Sequence, residues 1–358
     1  MKHLRKCLTA VLVLLALLIV LVGGYVVYAF AAYYRLEDHL ALTPEDSPAR
    51  LVQTGESYTL VSYNVGFGAY SPDYSFFMDG GKYSRALSAD AVRENIAGAG
   101  AAVAAEDPDF VFFEEVDVDA TRSYHLDQQP LLKAALPGYG SVFAQNYDSP
   151  YLLWPLTSPH GKSVAGMLTL SRYKLDSSVR RSLPVESGFS KFMDLDRCYS
   201  VTRVPVANGR TLCLYTTHLS AYTTDGSIAT EQVKRLTADM AGEYAAGNYV
   251  VCGGDFNKDL LGDSGAVFGV SGAAYTWAQP FPTELLPAGI SLAAPFDPAD
   301  PVPSCRNADE PYDPATSFVL TVDGFLVSDN VRVEQAAVVD TGFQWSDHDP
   351  VKLTFSLA

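Results

Sequence analysis

Six stretches of this chain set a polar residue capable of chemistry at or beside the end of an apolar run. Asn64 ends "TLVSYN", Glu115 ends "DFVFFEE" and His218 ends "LCLYTTH". Asp255 and Asn257 close "YVVCGGDFN", Asp323 lies within "VLTVDGFLVS", and Asp347 and His348 precede the last apolar run in "SDHDPVKLTFSLA". Taken singly, each has a plain structural explanation. Asn64 suits a turn, Glu115 an exposed acid, Asp255 and Asn257 an Asx turn after Gly253 and Gly254, and His218 a hydrogen-bonded core position. Taken as one ordered series they point to a reaction. Phosphate ester hydrolysis needs an in-line water, neutralisation of the charge that grows on the phosphoryl oxygens, and help for the leaving oxygen. Carboxylates and amide oxygens are the hard ligands that Mg²⁺ or Mn²⁺ prefers, and carboxylate with imidazole moves protons at neutral pH.

The elements that must position these residues are legible as short β-rich runs alternating with helical ones. "YTLVSYNVGF" is followed by a helix over about 88–105 and then by "DFVFFEEVD". "CYSVTRVPVANGRTLCLYTTHLS" is a hairpin turning on Asn208 and Gly209; a helix over about 226–246 leads to "YVVCGGDFN". Hairpins mixed with strand-helix-strand units predict an α/β protein with mixed sheets. Strand ends that share one sheet edge converge, which is where ligands gather in such folds. Two segments interrupt the pattern: the aromatic "GFGAYSPDYSFFMDGGKYSRA", and the stretch from Tyr275 to Ser317, which holds nine of the chain's 21 prolines. Both read as rims or binding loops, or as surface decoration. Tyr70, Tyr74, Phe76, Phe77 and Tyr83 of the first could meet lipid, stack on bases or pack on the domain itself.

The first 30 residues are of another kind. "MKHLRKC" is basic, and Leu8 to Phe30 carries no charge, a run that spans roughly 34 Å as a helix against a hydrocarbon core of about 30 Å. We read a basic cytoplasmic stub over 1–7, a transmembrane helix over 8–30, a polar tether over 31–56 and the catalytic domain over 57–358. The basic flank precedes the span, which puts the N-terminus in the cytoplasm and the domain outside, a single-pass protein of the cell membrane. A cleavable signal peptide is the competing reading, although its apolar core is usually only about 7 to 15 residues long.

All 41 Asp and Glu lie beyond residue 35, together with 21 of the 25 Lys and Arg, so the outer part carries a formal charge of −20. Such a surface repels polyanions and argues against tight nonspecific binding of nucleic acid, but it leaves room for a small phosphate ester held by a metal. The five cysteines show no CxxC, which disfavours a zinc module. Cys213 and Cys252 suit buried thiols, and a Cys198–Cys305 bridge is open in an oxidising compartment.

In order, "SYNV", "FFEEVD", "TTHLS", "GGDFN", "VDGFLVS" and "SDHDPV" resemble the motifs of the endonuclease/exonuclease/phosphatase superfamily, over roughly Tyr58 to the C-terminus. The pairing of "THL" with "SDH" is most similar to its secreted deoxyribonuclease and neutral sphingomyelinase branches. The resemblance implies a two-sheet mixed β-sandwich flanked by helices, four-layered and deoxyribonuclease-like, here preceded by the N-terminal helix. It implies that Glu115 is the main ligand of Mg²⁺ or Mn²⁺, with Asn64 nearby and Asp347 on a second ion. Asp255 would orient or deprotonate the attacking water and Asn257 would steady it. His348, oriented by Asp323, would face the phosphate opposite His218. The general base stays open between Asp255 and the histidines.

Three functions follow. The first is a membrane-tethered phosphodiesterase or phosphatase acting outside the cell on a lipid head group or other small phosphate ester. The second is an extracellular nuclease, which the acidic charge disfavours. The third is a catalytically silent binding domain. Arg306, in the proline-rich segment, is either a phosphate clamp or a surface arginine. A monomer is the expectation, and Asp349 is expected to orient the turn before Pro350.

Overall fold

The computed structural model describes residues 2–186, 196–221, 227–270, 277 and 279–358. Along the chain run α1 (Lys2–Ala32), β1 (Leu40–Leu42), β2 (Ser57–Asn64), α2 (Ala89–Ala105), β3 (Phe110–Ala120), α3 (Gln129–Ala135), β4 (Gly140–Asp148) and β5 (Ser163–Ser171). Then come β6 (Ser177–Ser182), β7 (Cys198–Pro205), β8 (Thr211–His218), α4 (Ser227–Ala245), β9 (Tyr249–Asp255), α5 (Ser264–Phe268) and β10 (Ile290–Ala293). The chain ends with β11 (Cys305–Arg306), β12 (Val319–Leu320), β13 (Asp323–Ser328), β14 (Val331–Val338) and β15 (Val351–Leu357).

Two mixed sheets result, ordered β1-β6-β7-β8-β9-β13-β10 and β14-β15-β2-β3-β5-β4. Strand periodicity decides which residues meet. Tyr58 and Leu60 of β2, Phe110 and Phe112 of β3, Leu212 and Leu214 of β8, Tyr249 and Val251 of β9, and Phe325 and Val327 of β13 form one core between the sheets. The alternate residues face outward. Val61, Tyr63, Val111 and Phe113 pack on Val92, Ile96 and Val103 of α2 and Leu132 of α3. Tyr215, Val250 and Cys252 pack on Val233, Leu236 and Met240 of α4. The molecule is therefore helix, sheet, sheet, helix, as the resemblance implied. Truncating a core ring such as Phe112 to alanine would cost about 3 to 5 kcal/mol.

Both long helices fall where the sequence put them. Ser88 caps α2 by accepting from the amide of Ala91 at 3.0 Å, satisfying a donor the helix cannot. The Asn208–Gly209 turn joins the antiparallel pair β7 and β8, with Gly209 at φ +85°.

The segment read as a tether over 31–56 is bonded to the domain along much of its length. Leu40–Leu42 pairs with edge strand β6, Glu45 exchanges backbone hydrogen bonds with Ser141, and Val52 is fully buried. Arg35 sits 2.5 Å from Asp196, which also holds the buried Arg180. The physical reason is the open edge of β6, whose unpaired backbone groups β1 satisfies. Folded chain thus begins near Arg35 rather than Ser57. The aromatic loop is likewise part of the body: Tyr70, Tyr74 and Phe76 join the core under α2. The proline-rich segment supplies edge strand β10 and then β11, although Tyr275 itself lies outside the described residues. Cys198 and Cys305 are free thiols in separate clusters, and Cys213 and Cys252 are buried as expected.

Candidate active site

The inner register that builds the core also builds the site. Counting on by twos from Leu60, Leu214 and Val251, and back by two from Phe325, leads to Asn64, His218, Asp255 and Asp323, all on the inner face. The strand pairings set His218 beside Asp255 and Asp255 beside Asp323. On the other sheet Asn64 pairs with Glu114, the next inner residue of β3. A bulge between Phe113 and Val116 then turns Glu115, at φ +56°, toward the same end. The second glycine of "GGD" is also required by geometry. A Cβ on Gly254, at φ +144°, would lie 1.9 Å from the carbonyl oxygen of Thr217.

His348 reaches the row from the loop before β15. Its Nδ1 lies 2.8 Å from Oδ2 of Asp323, which also accepts from Oγ of Ser304 at 2.7 Å. Nε2 of His348 points toward Asn64 Nδ2 at 3.5 Å and Asp255 Oδ2 at 3.9 Å. The same Asp255 oxygen is 3.1 Å from Asn64 Nδ2, 3.3 Å from His218 Nε2 and 3.2 Å from Asn257 Nδ2. Asn257, at φ +49°, also donates its amide to Asp255 Oδ1 at 2.8 Å, and its side chain donates to Leu219 O. The bland Asx-turn reading is thus correct in geometry, and the turn forms part of the cluster.

Burial and charge divide these groups. Burial opposes the charge on His348, but Asp323 outweighs it and holds the imidazolium well above 6.5. Burial, with Arg197 and the charged His348 nearby, holds His218 well below 6.5 and neutral. The carboxyl of Asp255 is pushed up to about 7 by burial, with Asp323 adding to the rise and His348 opposing it. Glu114, fully buried beneath the cluster and accepting from Ser62 Oγ at Oε1, has its pKa raised well above the carboxylate range by burial. Burial also raises Glu115 and Asp347; each of these is drawn back by His348 and by an arginine, Arg122 for Glu115 and Arg306 for Asp347.

Glu115, Asp255, Asn257, His218, Asp347 and His348 line a single cavity of about 240 Å³. Asn64 and Asp323 stand behind it. The loop carrying Asp347 is fixed by Ser346, whose Oγ donates to Asn64 O at 2.8 Å. Asp349 anchors the turn before Pro350 by accepting from the amides of Thr341 and Phe343.

Asp255, Asp323 and His348 present ligand atoms within 4.8 Å of one another, a possible metal site. Glu115 and Asp347 add two carboxylates to the cavity wall, whose oxygens suit a hard divalent cation. Asn64 stands beside them with Nδ2 3.4 Å from Glu115 Oε1, its own side-chain oxygen accepting from the Gly66 amide. The charge of Asp347 raises the pKa of Glu115, a repulsion that a bound cation would relieve.

Arg306 is neither free nor on the surface. It is 1% exposed, donates Nη2 to the carbonyls of Tyr70 and Ser71, and lines the cavity beside Asp347. Sequence reasoning missed Arg122, Arg197 and His160, which line the same cavity. Arg122 is a buried partner of Asp117 and stacks 4.0 Å over the Phe67 ring. None of the three ends an apolar strand, so the signal that located the others was absent.

A family model described as "Endonuclease/Exonuclease/phosphatase family" matches residues 61–348. The chain belongs to this family. No curated protein sequence matches it. Solved structures do, at identities that carry the fold alone. An endonuclease/exonuclease/phosphatase from Beutenbergia cavernae is 17% identical, with TM-score 0.56, over 84% of this chain and 72% of that one. ANGEL2, a 2′,3′-cyclic phosphatase in complex with adenosine-2′,3′-vanadate, is 16% identical, with TM-score 0.54, over 89% and 99%. D. rerio TDP2, complexed with single strand DNA product, is 18% identical, with TM-score 0.51, over 84% and 99%. The β3 bulge separates the adjacent Glu114 and Glu115 into a fully buried acid and a cavity-lining one.

Proposed function

We propose that this family member is a divalent-metal-dependent phosphoesterase, held at the outer face of a membrane by α1 and acting on a lipid head group or another small phosphate ester. The observation that carries the reading is the Asp323–His348 pair set against Asp255 and Asn64 at the wall of a cavity that Glu115 and Asp347 also line. Glu115 and Asp347 would hold Mg²⁺ or Mn²⁺, with Asn64 nearby. The ion, when bound, neutralises charge developing on the phosphoryl oxygens. Asp255, lifted to about 7, takes the proton of the attacking water, and Asn257 fixes its carboxylate through two hydrogen bonds. His348, kept charged by Asp323, donates to a phosphoryl oxygen. Neutral His218 buttresses Asp255 from the other side. Arg197 and Arg306 bring positive charge to the cavity of an otherwise acidic protein.

A nuclease is the second reading, favoured by the DNA product bound to the D. rerio relative. The charge of −20 beyond residue 35 weighs against it for duplex substrates. The test is hydrolysis by the full-length chain with Mg²⁺ or Mn²⁺, offered phospholipids, sphingomyelin, inositol phosphates, simple mono- and diesters, RNA and duplex DNA. Turnover of a lipid or small ester, lost on chelation, is expected. Efficient cutting of duplex DNA at physiological salt would put the nuclease first. A folded chain inactive on every substrate would favour a binding domain.

A further inference from the structure

Between β4 and β5 the chain reads "SPYLLWPLTSPHGK", and from Tyr151 to Pro159 it holds no charged side chain, in a protein with 41 acidic and 25 basic residues. The loop displays its apolar groups: Leu156 is 73% exposed, Trp154 63% and Leu153 41%. Burying such side chains is worth about 1.5 to 3 kcal/mol each, so a surface that leaves them in water invites a cover.

What covers them follows from the loop's other attachments. The Tyr25 hydroxyl of α1 donates to Tyr151 O at 3.1 Å and accepts from the Leu153 amide at 3.2 Å. The Tyr28 hydroxyl accepts from the Tyr151 amide at 3.0 Å, and Leu152 packs with Ala29 and Tyr33. Tyr25 lies inside the uncharged run that ends at Phe30, by roughly 7.5 Å at 1.5 Å per residue. The loop backbone therefore runs beside the last turns of the apolar helix, at the level where Tyr and Trp gather in membrane proteins. Most other side chains of that helix are uncovered as well, Leu8 at 60% and Val27 at 69% among them. The apolar loop and the apolar helix are one continuous surface.

The loop's far end belongs to the site. Leu152 and Gly161 close its base with two backbone hydrogen bonds of 3.0 Å. Between them His160 donates Nδ1 to Ser84 O at 2.8 Å and forms part of the cavity wall next to Phe76.

We propose that Tyr151–Leu156 dips into the bilayer beside α1 and holds the mouth of the active-site cavity at the lipid surface, so that the ester it takes is one carried by the membrane. This rests on α1 as an anchor and on the site as a phosphoesterase, and it names the substrate class of that same site.

The experiment uses the full-length chain in phosphatidylcholine vesicles with brominated acyl chains. The three tryptophans are Trp154, Trp277 and Trp345, none of them in α1. Bromine should quench the wild type, and Trp154→Phe should abolish most of that quenching while still floating with the vesicles. Equal quenching in wild type and variant overturns the docking. A chain that fails to float overturns the anchor and the docking together. In a second arm, Trp154→Ser with Leu156→Ser should lower hydrolysis of a vesicle-borne phosphate ester about ten-fold, as loss of at least 1.4 kcal/mol of docking requires, and leave soluble bis(p-nitrophenyl) phosphate turnover unchanged. Equal losses on both substrates, or none on either, overturn the proposal. A wild type active only on the soluble ester overturns its substrate half. A wild type inactive on both removes the phosphoesterase reading and with it the substrate half, while quenching still decides the docking.

Discussion

His348 and Asp323 are 25 residues apart in sequence, yet Nδ1 of one and Oδ2 of the other stand 2.8 Å apart inside the fold. The contact does two things at once. It fixes the ring so that Nε2 faces the cavity, and it keeps the ring charged against its burial. Asp323→Asn should therefore lower kcat by about 10²-fold or more, since a positioned acid contributes on that scale. It should also move the alkaline limb of the pH–rate profile to lower pH, because the imidazolium loses the anion that holds its pKa up. A profile of unchanged shape would remove charge on His348 from the mechanism.

Gly254→Ala tests whether the backbone of "GGD" is as constrained as it looks. The added methyl group would meet a backbone carbonyl of β8 at 1.9 Å, and no side-chain rotation relieves that. A loss of at least about 3 kcal/mol in denaturant unfolding is expected. A variant as stable as wild type would mean that β8 and β9 pair differently.

His160 should make stability pH-dependent. Burial pushes its pKa down to about 3, against 6.5 when unfolded. The unfolded chain then binds the proton first, so the stabilisation is complete above pH 6.5 and is lost as pH falls toward 3. At pH 5 the loss is about 2 kcal/mol. Urea midpoints at pH 7.5 and pH 5 should separate more for wild type than for His160→Gln.

Glu115 and Asp347 are the carboxylates assigned to the cation. Saturating Mg²⁺ or Mn²⁺ should raise the thermal midpoint of wild type by about 4 °C, as mass action predicts at 100 times Kd. Glu115→Gln with Asp347→Asn should abolish that rise and, without metal, unfold no earlier than wild type, since both changes remove partly buried charge that its surroundings disfavour. If metal still stabilises this variant while Asp255→Asn abolishes the effect, the ion belongs with Asp255, Asp323 and His348.

The sequence was most informative where a single rule, alternation by twos along a strand, fixed both core and site. Leu60 and Asn64, or Val251 and Asp255, obey the same register, so apolar runs ending in polar residues pointed at one sheet edge. Glu115 was legible as a strand-end acid, but the bulge that turns it away from Glu114 was not, because a bulge depends on the partner strand β5. Arg122, Arg197 and His160 reach the cavity through tertiary contacts with no local period. Residues 31–56 looked like a tether because their composition is polar; what attaches them is the open edge of β6, a feature of another part of the chain. The composition of the aromatic loop suits surface and core equally; Tyr70, Tyr74 and Phe76 pack beneath α2, where burial removes their apolar area from water.

Full-length protein should hydrolyse bis(p-nitrophenyl) phosphate with Mg²⁺ or Mn²⁺, lose that activity on chelation and regain it when metal is restored. His348→Ala, folded as judged by its thermal midpoint, should run about 10²- to 10⁴-fold slower at the same metal concentration. Turnover that survives chelation, or a His348→Ala rate equal to wild type, would contradict the assignment of this cluster as a metal-dependent phosphoesterase centre.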